Sequence, residues 1–285
     1  MLPSFKVIGN EPIWLMKGCL KMKTITLISA LSSVTISCWL AKKMYKNQQF
    51  QGVNSAKMHY HYDISAVHKI NLYFERGTGT IEQTAGKQLK IEYYFANAAQ
   101  ENSFVYTENA EFGQLDLQLK RKNPLVPLNF FDGIFVKVGV PAAYKGQINV
   151  KTITGSLRAE NLSLEKVSLK SATGDIAVHT LQSNQVLIKT TTEAISIDEL
   201  VNIGHSANSA TFISTTGAIT LMHNNKLFTK ETVKTTTGNV HLGIDQKLSD
   251  YLITYEGTRK KDSELVGNPV NKIVVKTMAG NVSKF

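Results

Sequence analysis

The strongest constraint in this sequence is a pattern that returns about every twenty residues through its C-terminal half. Val150-Lys151-Thr152-Ile153-Thr154-Gly155-Ser156-Leu157 is followed by Leu169-Lys170-Ser171-Ala172-Thr173-Gly174-Asp175-Ile176 and by Ile188-Lys189-Thr190-Thr191-Thr192-Glu193-Ala194-Ile195. Residues 212–219, 233–240 and 275–282 repeat it, and a degenerate copy surrounds Gly257. The anchor positions are 155, 174, 193, 217, 238, 257 and 280, spaced by 19 to 24 residues. Strand-forming sequence with one turn residue per period predicts a single-stranded β-solenoid. In such a stack no copy can bury its apolar face alone, and each does so against its neighbours. Stacked in chain order at about 4.8 Å per coil, seven copies would form a rod about 30 Å long.

Within a copy, apolar residues alternate before the anchor (Ile148 and Val150, Val167 and Leu169) and after it (Leu157 and Ala159, Ile176 and Val178). The step from Val150 to Leu157 is odd, so strict alternation would place them on opposite faces. A bulge or corner at the Thr-Gly step must reset the face. Gly155, Gly174, Gly217, Gly238 and Gly280 are therefore the expected structural turn residues, adopting positive φ, and Glu193 marks a corner of a different kind. The paired hydroxyls Thr152/Thr154, Ser171/Thr173, Thr190/Thr192, Ser214/Thr216 and Thr235/Thr237 continue the inward alternation. They are expected to point inward or into the corner and satisfy turn backbone groups, rather than to form an ice-binding face.

The rest of the body is also β. Period-2 runs occur at 68–74, 88–95, 115–120, 134–140, 167–170 and 185–189, and only 198–203 hints at a helical turn. Residues 77–80 read as a hairpin, residues 120–127 as a polar, proline-bearing boundary, and Pro141 as the link into the first full repeat. The expected fold class is all-β: an N-terminal membrane helix, an irregular β region, then the solenoid. The organisation is a tail (1–23), a membrane segment (24–41), a juxtamembrane linker (42–56), an N-terminal β region (57–132) and solenoid repeats (133–285).

Residues 24–41, Thr-Ile-Thr-Leu-Ile-Ser-Ala-Leu-Ser-Ser-Val-Thr-Ile-Ser-Cys-Trp-Leu-Ala, contain no charge and are bounded by Lys23 and Lys42. A helix of that length spans roughly 27 Å, enough for a thin bilayer. No small-x-small cleavage pattern follows, so an uncleaved anchor is expected over a cleaved signal. Apolar residues continue after Cys38, which favours an ordinary embedded cysteine over a lipidated one. Lysines balance on the two sides, leaving orientation open. Residues 1–49 carry seven lysines and one acid, whereas the remainder carries 25 basic and 21 acidic residues. The net charge of +10 thus owes more to the anchor region than to the body, which argues against nucleic acid. Both cysteines, Cys19 and Cys38, precede the body, excluding there a disulfide, a thiolate metal site or a cysteine nucleophile.

Phe135-Val136-Lys137-Val138-Gly139-Val140-Pro141, Tyr144 and the run from Ile148 to Leu157 resemble the bacterial β-repeat domains of unknown function called putative adhesins. The resemblance spans about residues 68–285. It implies an envelope-tethered interaction domain with its bulk outside the cytoplasmic membrane, and it brings no catalytic residues.

The remaining constellations are weak. His59, His61 and Asp63 share a strand face and, with His68, could ligate zinc, but a polar face beside the linker explains them equally. His179, His205, His223 and His241 fall at different offsets and read as surface residues. Asp175 alone follows a repeat glycine, so the paired carboxylates of a polysaccharide-acting enzyme are not indicated. No cofactor motif is present. Lys151, Lys170, Lys189, Lys234 and Lys276 hold one outward repeat position, with Ile213 interrupting the row. They are candidate polyanion-binding residues, or else solvated lysines that discourage edge pairing. The expected function is a non-catalytic, single-pass envelope protein whose solenoid side binds an anionic envelope polymer or a protein partner. The alternatives are an end-to-end polymerising, bactofilin-like scaffold, left open by an uncapped last copy at 283–285, and a polysaccharide-acting β-helix enzyme. Oligomeric state stays open.

Overall fold

Wherever apolar residues alternate, the chain is extended, and each strand hands its apolar side to the same interior. The architecture comes from a computed structural model that describes residues 57–96, 98–123, 134–204, 208–224, 226–245, 248, 250–257 and 263–285. The tail, the membrane segment and the linker lie outside them, as does His205. No described helix is long and apolar enough to cross a membrane. Among the described residues one short helix, α1 (Ala98–Asn102), accompanies twenty strands.

Each coil has a strand before the glycine corner and one after it. The first set stacks in parallel: β2 (Lys69–Arg76), β8 (Gln147–Thr154), β10 (Leu162–Ser171), the end of β11 (Ile176–Lys189), β13 (Ser209–Ser214), β15 (Lys230–Thr235) and β19 (Asn271–Thr277). This is sheet one. The second set forms sheet two: β3 (Thr78–Thr84), β9 (Leu157–Glu160), the start of β11, β12 (Ile195–Asn202), β14 (Ile219–His223), β16 (Val240–Ile244) and β20 (Val282–Lys284). A short third ladder pairs Leu162–Leu164 with Leu181–Ser183, and the latter with Leu200–Asn202. Inward residues such as Val150, Leu157, Leu169, Ile176, Ile188, Ile219, Val233 and Val275 are buried, each at most 1% exposed. Burying one such side chain stabilises the fold by about 1.5–3 kcal/mol, so the stack is held by a continuous apolar core.

Several expectations are corrected. Residues 77–80 form no hairpin: Gly77 is a corner (φ 126°) between β2 and β3, and both strands stack in parallel on β8 and β9. This coil escapes the repeat pattern because Phe74 replaces the corner hydroxyl. Coil order also departs from chain order. β2 lies between β6 (Gln114–Arg121) and β8, and β3 lies between β7 (Phe135–Pro141) and β9. The copy around Gly257 is not an internal layer, since β19 stacks directly on β15 and β17 (Tyr251–Glu256) lies outside β19. The expected helical turn at 198–203 falls mainly in strand β12, because Leu200 and Asn202 point inward.

The two ends of the stack carry antiparallel strands. β5 (Phe104–Glu111) closes on β6, while β1 (Lys57–Tyr62) closes on β4 (Leu89–Tyr94), which itself runs antiparallel to β7. Tyr60 of β1 stacks on Tyr106 of β5, ring centroids 4.0 Å apart. At the other end β18 (Glu264–Val266) runs antiparallel to β17. The expectation of an uncapped last copy therefore fails for sheet one: a hairpin-like pair covers β19.

The corners explain the glycines differently from the sequence expectation. Among the corner glycines, only Gly77, Gly155 and Gly257, the last in the outer strand pair, have positive φ. At Gly174 the requirement is close approach: a Cβ would sit 2.0 Å from the Gly155 carbonyl oxygen of the coil beneath. The same collision recurs at Gly217, Gly238 and Gly280. The first hydroxyl of each pair binds these corners. The Gly174 N–H donates to Ser171 Oγ, which donates to the Gly155 carbonyl, at 2.9 and 2.8 Å. Ser214, Thr235 and Thr277 repeat both bonds. Thr190 donates to the Gly174 carbonyl, but Glu193 contributes no matching N–H bond among the described residues, which sets its corner apart. Thr152 is buried without a hydrogen-bond partner, so the ladder begins at Ser171. The second hydroxyls, Thr154, Thr173, Thr192, Thr216 and Thr237, are exposed rather than inward, although Thr173 and Thr216 still donate to backbone carbonyls of the preceding coil, those of Ile153 and Thr192.

Candidate polyanion-binding face

The outward side of sheet one is built from three columns of side chains, because residues two apart on a strand share a face and the parallel register carries each column from coil to coil. The first column runs Tyr73, Lys151, Lys170, Lys189, Ile213, Lys234, Lys276 and Glu256. The five candidate lysines are thus brought into one row, with Ile213 between Lys189 and Lys234. Lys276 is bound to Glu256 at 2.5 Å. Lys120 and Lys151 place their ammonium groups 5.7 and 5.8 Å from the Tyr73 ring. Burial, then the Glu75 charge, push the Tyr73 hydroxyl up, partly offset by Arg121.

Sequence reasoning missed a second basic column. Four residues earlier on each strand, Lys69, Gln147, Lys166, Gln185, Ser209, Lys230 and Lys272 align. The repeats were aligned on the glycine corner, and lysine recurs less regularly at this offset. Between the two columns lies an uncharged floor that includes Asn71, Asn149, Ser168 and Leu187. Asn149 Nδ2 donates to Asn71 Oδ1 at 3.2 Å. Asn149 Oδ1 and Ser168 Oγ are buried and make no hydrogen bond, and Ser168 is 6% exposed. Among the described residues, neither Lys166, Lys170 and Lys189 nor Lys230, Lys234 and Lys272 have a carboxylate partner.

Sheet two differs. Its charges are largely paired: Lys137 with Glu82 at 2.9 Å, Arg158 with Glu160 at 3.2 Å and His179 with Asp198 at 3.2 Å. Glu82, Glu92 and Glu160 surround Lys137 and together hold its ammonium charged. The spacing gave no sign of this cluster, since β3, β4, β7 and β9 are joined only by the fold. The Tyr94 hydroxyl and the His59 and Lys137 charges lower the Glu92 carboxyl despite burial. His59, His61 and Asp63 do share an exposed strand side, but His59 faces Glu92 at 3.4 Å and Asp63 accepts from the Ser65 N–H. No three metal-ligating side chains converge among the described residues.

His223 is not a surface residue. It is 1% exposed, with Nε2 2.9 Å from both Glu231 oxygens and Nδ1 3.2 Å from the Gly243 carbonyl. Glu231 occupies an inward position aligned with Ala210 and Ile273. A carboxylate in that apolar column was the signal available in the sequence.

The fold is thus an all-β, parallel solenoid with paired charge on one side and a lysine row, largely without carboxylate partners, on the other. Residues 67–202 match the model of the Toastrack family, DUF4097, a domain of unknown function. Similar solved structures include a putative adhesin from Bacteroides fragilis NCTC 9343, with 12% identity, 81% of this chain and 97% of that one covered, and a TM-score of 0.46. A putative cell adhesion protein from Clostridium sporogenes ATCC 15579 has 10% identity, 81% and 99% coverage, and a TM-score of 0.42. No curated protein matches.

Proposed function

We propose that this chain is a non-catalytic, membrane-tethered envelope protein whose solenoid side serves as an adhesin-like interaction surface for an anionic partner, with its bulk outside the cytoplasmic membrane. The tether is the uncharged run 24–41. The contact is the row Lys151, Lys170, Lys189, Lys234 and Lys276. The observation that carries the reading is the row itself: lysines at about 4.8 Å spacing, most without a carboxylate partner, on one side of a solenoid whose other side is ion-paired. End-to-end polymerisation is less favoured, since antiparallel strands cover sheet one at both ends.

Two measurements test it. Carbonate extraction should leave the full chain in the membrane, and complete release would remove the tether. Changing Lys151, Lys170 and Lys189 together to Gln should reduce retention on anionic cell-wall material and flatten its salt dependence. Retention with an unchanged salt slope would make the row a solvated face.

A further inference from the structure

We propose that sheet one carries a two-railed trough that seats a linear polyanion of the polyphosphate or phosphodiester type, lying along the stack axis. The inference rests on the reading above that this side binds anions, and it adds the second rail, the floor and the shape of the ligand.

The rails are the two lysine columns. They stand four residues apart on each strand, about 13 Å, and rise by one coil every 4.8 Å or so. The trough is best formed at β10, where Lys166 and Lys170 flank Ser168 on one strand, with Lys151 above and Lys189 below in the neighbouring coils. Between the rails the floor offers one potential donor that the protein itself leaves unsatisfied, the Ser168 hydroxyl. An unpaired buried hydroxyl costs free energy, and a ligand that reaches it recovers that cost. The Ser168 hydroxyl can donate to a phosphoryl oxygen while the lysines neutralise the charge.

The floor also discriminates between ligand shapes. Ser168 lies between the two lysine columns at 6% exposure. A planar surface of anionic headgroups would meet the lysine tips and leave Ser168 and Asn149 untouched. A thin chain can enter between the rails and approach the Ser168 hydroxyl. The second rail carries Gln147 and Gln185 in the coils on either side of Lys166, coil β13 breaks both rails with Ser209 and Ile213, and lysines resume at Lys230 with Lys234 and at Lys272 with Lys276. A long polymer bridges that gap; a short anion does not gain from the second cluster.

The test uses the full chain in neutral detergent with long-chain inorganic polyphosphate as the probe. The wild type should bind it at least a hundredfold more tightly than pyrophosphate. Changing Lys166, Lys230 and Lys272 together to Gln leaves the five-lysine row intact and should weaken binding at least tenfold, with a shallower salt slope. Ser168→Glu should abolish binding, and Ser168→Ala should weaken it two- to fivefold. Melting temperatures show which variants keep the fold, and the Gln variant decides the question even where Ser168→Glu unfolds. If the Gln variant binds polyphosphate like the wild type, the second rail is not part of the site and the trough is overturned, while the single-row reading stands on its own test. Equal affinity for pyrophosphate overturns the linear ligand. Protection of these lysines from acylation by phosphatidylglycerol bilayers but not by polyphosphate overturns it in favour of a membrane surface. Absence of binding to polyphosphate, cell-wall material and anionic bilayers alike overturns both readings.

Discussion

His223 and Glu231 sit at apolar positions of the core, and their partners fix the state of the pair. Both ring nitrogens face acceptors, a carboxylate and the Gly243 carbonyl, so the doubly protonated imidazole satisfies both. Burial pushes the imidazole towards neutrality, but the Glu231 charge and hydrogen bond and the Gly243 carbonyl outweigh it and raise the pKa above 6.5. A raised folded value means that the stabilisation is complete below about 6.5 and is lost as pH climbs through the folded value. The melting temperature of the wild type should therefore fall on the alkaline side, and that of His223→Leu/Glu231→Met should not follow it. Glu231→Ala alone should cost about 3–5 kcal/mol, and the double variant far less, because one buried charge without its partner is worse than neither. Equal denaturant midpoints for the single and double variants would contradict this. Gly174 poses a purely steric demand. Gly174→Val should cost about 2–3 kcal/mol because the backbone of two coils must separate. Val at Glu193, which already carries a side chain, should change stability by about 0.5 kcal/mol or less. Comparable losses at both sites would mean that the corner backbone gives way more easily than this packing implies.

The corner hydroxyls act as an element that ties strands of successive coils together. Ser171→Ala leaves a buried N–H and a buried carbonyl without partners, at about 1–3 kcal/mol. Thr173→Ala, two residues on but exposed, should stay within about 0.5 kcal/mol. Urea midpoints for the pair check the assignment, and a reversed order would contradict it. This contrast also shows what the sequence can and cannot carry. The period, the corner positions and the inward side of each strand were legible because they depend on residues close in the chain. The orientation of Thr154 and Thr173 was not, since alternation ends at the corner itself. The coil of β2 and β3 was hidden because Phe74 stands where the other coils have Ser or Thr. The order of β6, β2 and β8 was hidden because parallel pairing between distant segments leaves no local signature. Of the candidate site, the Lys151 row was legible, as it holds a fixed offset from the glycine. Lys166 and Lys230 became part of the same face only once register joined their strands.

Across the whole stack, the open question for a parallel solenoid is how it ends, since an exposed edge strand is a template for another chain. Here the terminal strands change direction: β5 on β6, and β18 on β17 beyond β19. Sheet one thus closes at the far end with a segment inserted between β16 and β19, not with the last strand of the sequence. That insertion can be removed on geometric grounds. β14 reaches β15 through residues 224–229, and deleting residues 248–267 leaves 245–247 and 268–270 to join β16 to β19, a connection of the same length. The deletion should leave β19 paired with β15 and expose its outer edge, while freeing Lys276 from Glu256. Light scattering should then show the wild type unchanged with concentration and the deletion variant self-associating. Salt should strengthen that association, because Lys272 and Lys276 repel their counterparts across a new edge pairing and the repulsion is screened. A deletion variant that keeps its β signal and remains monomeric at high salt would show that β17 and β18 do not serve as the cap, and that the edge of β19 is protected by its lysines alone.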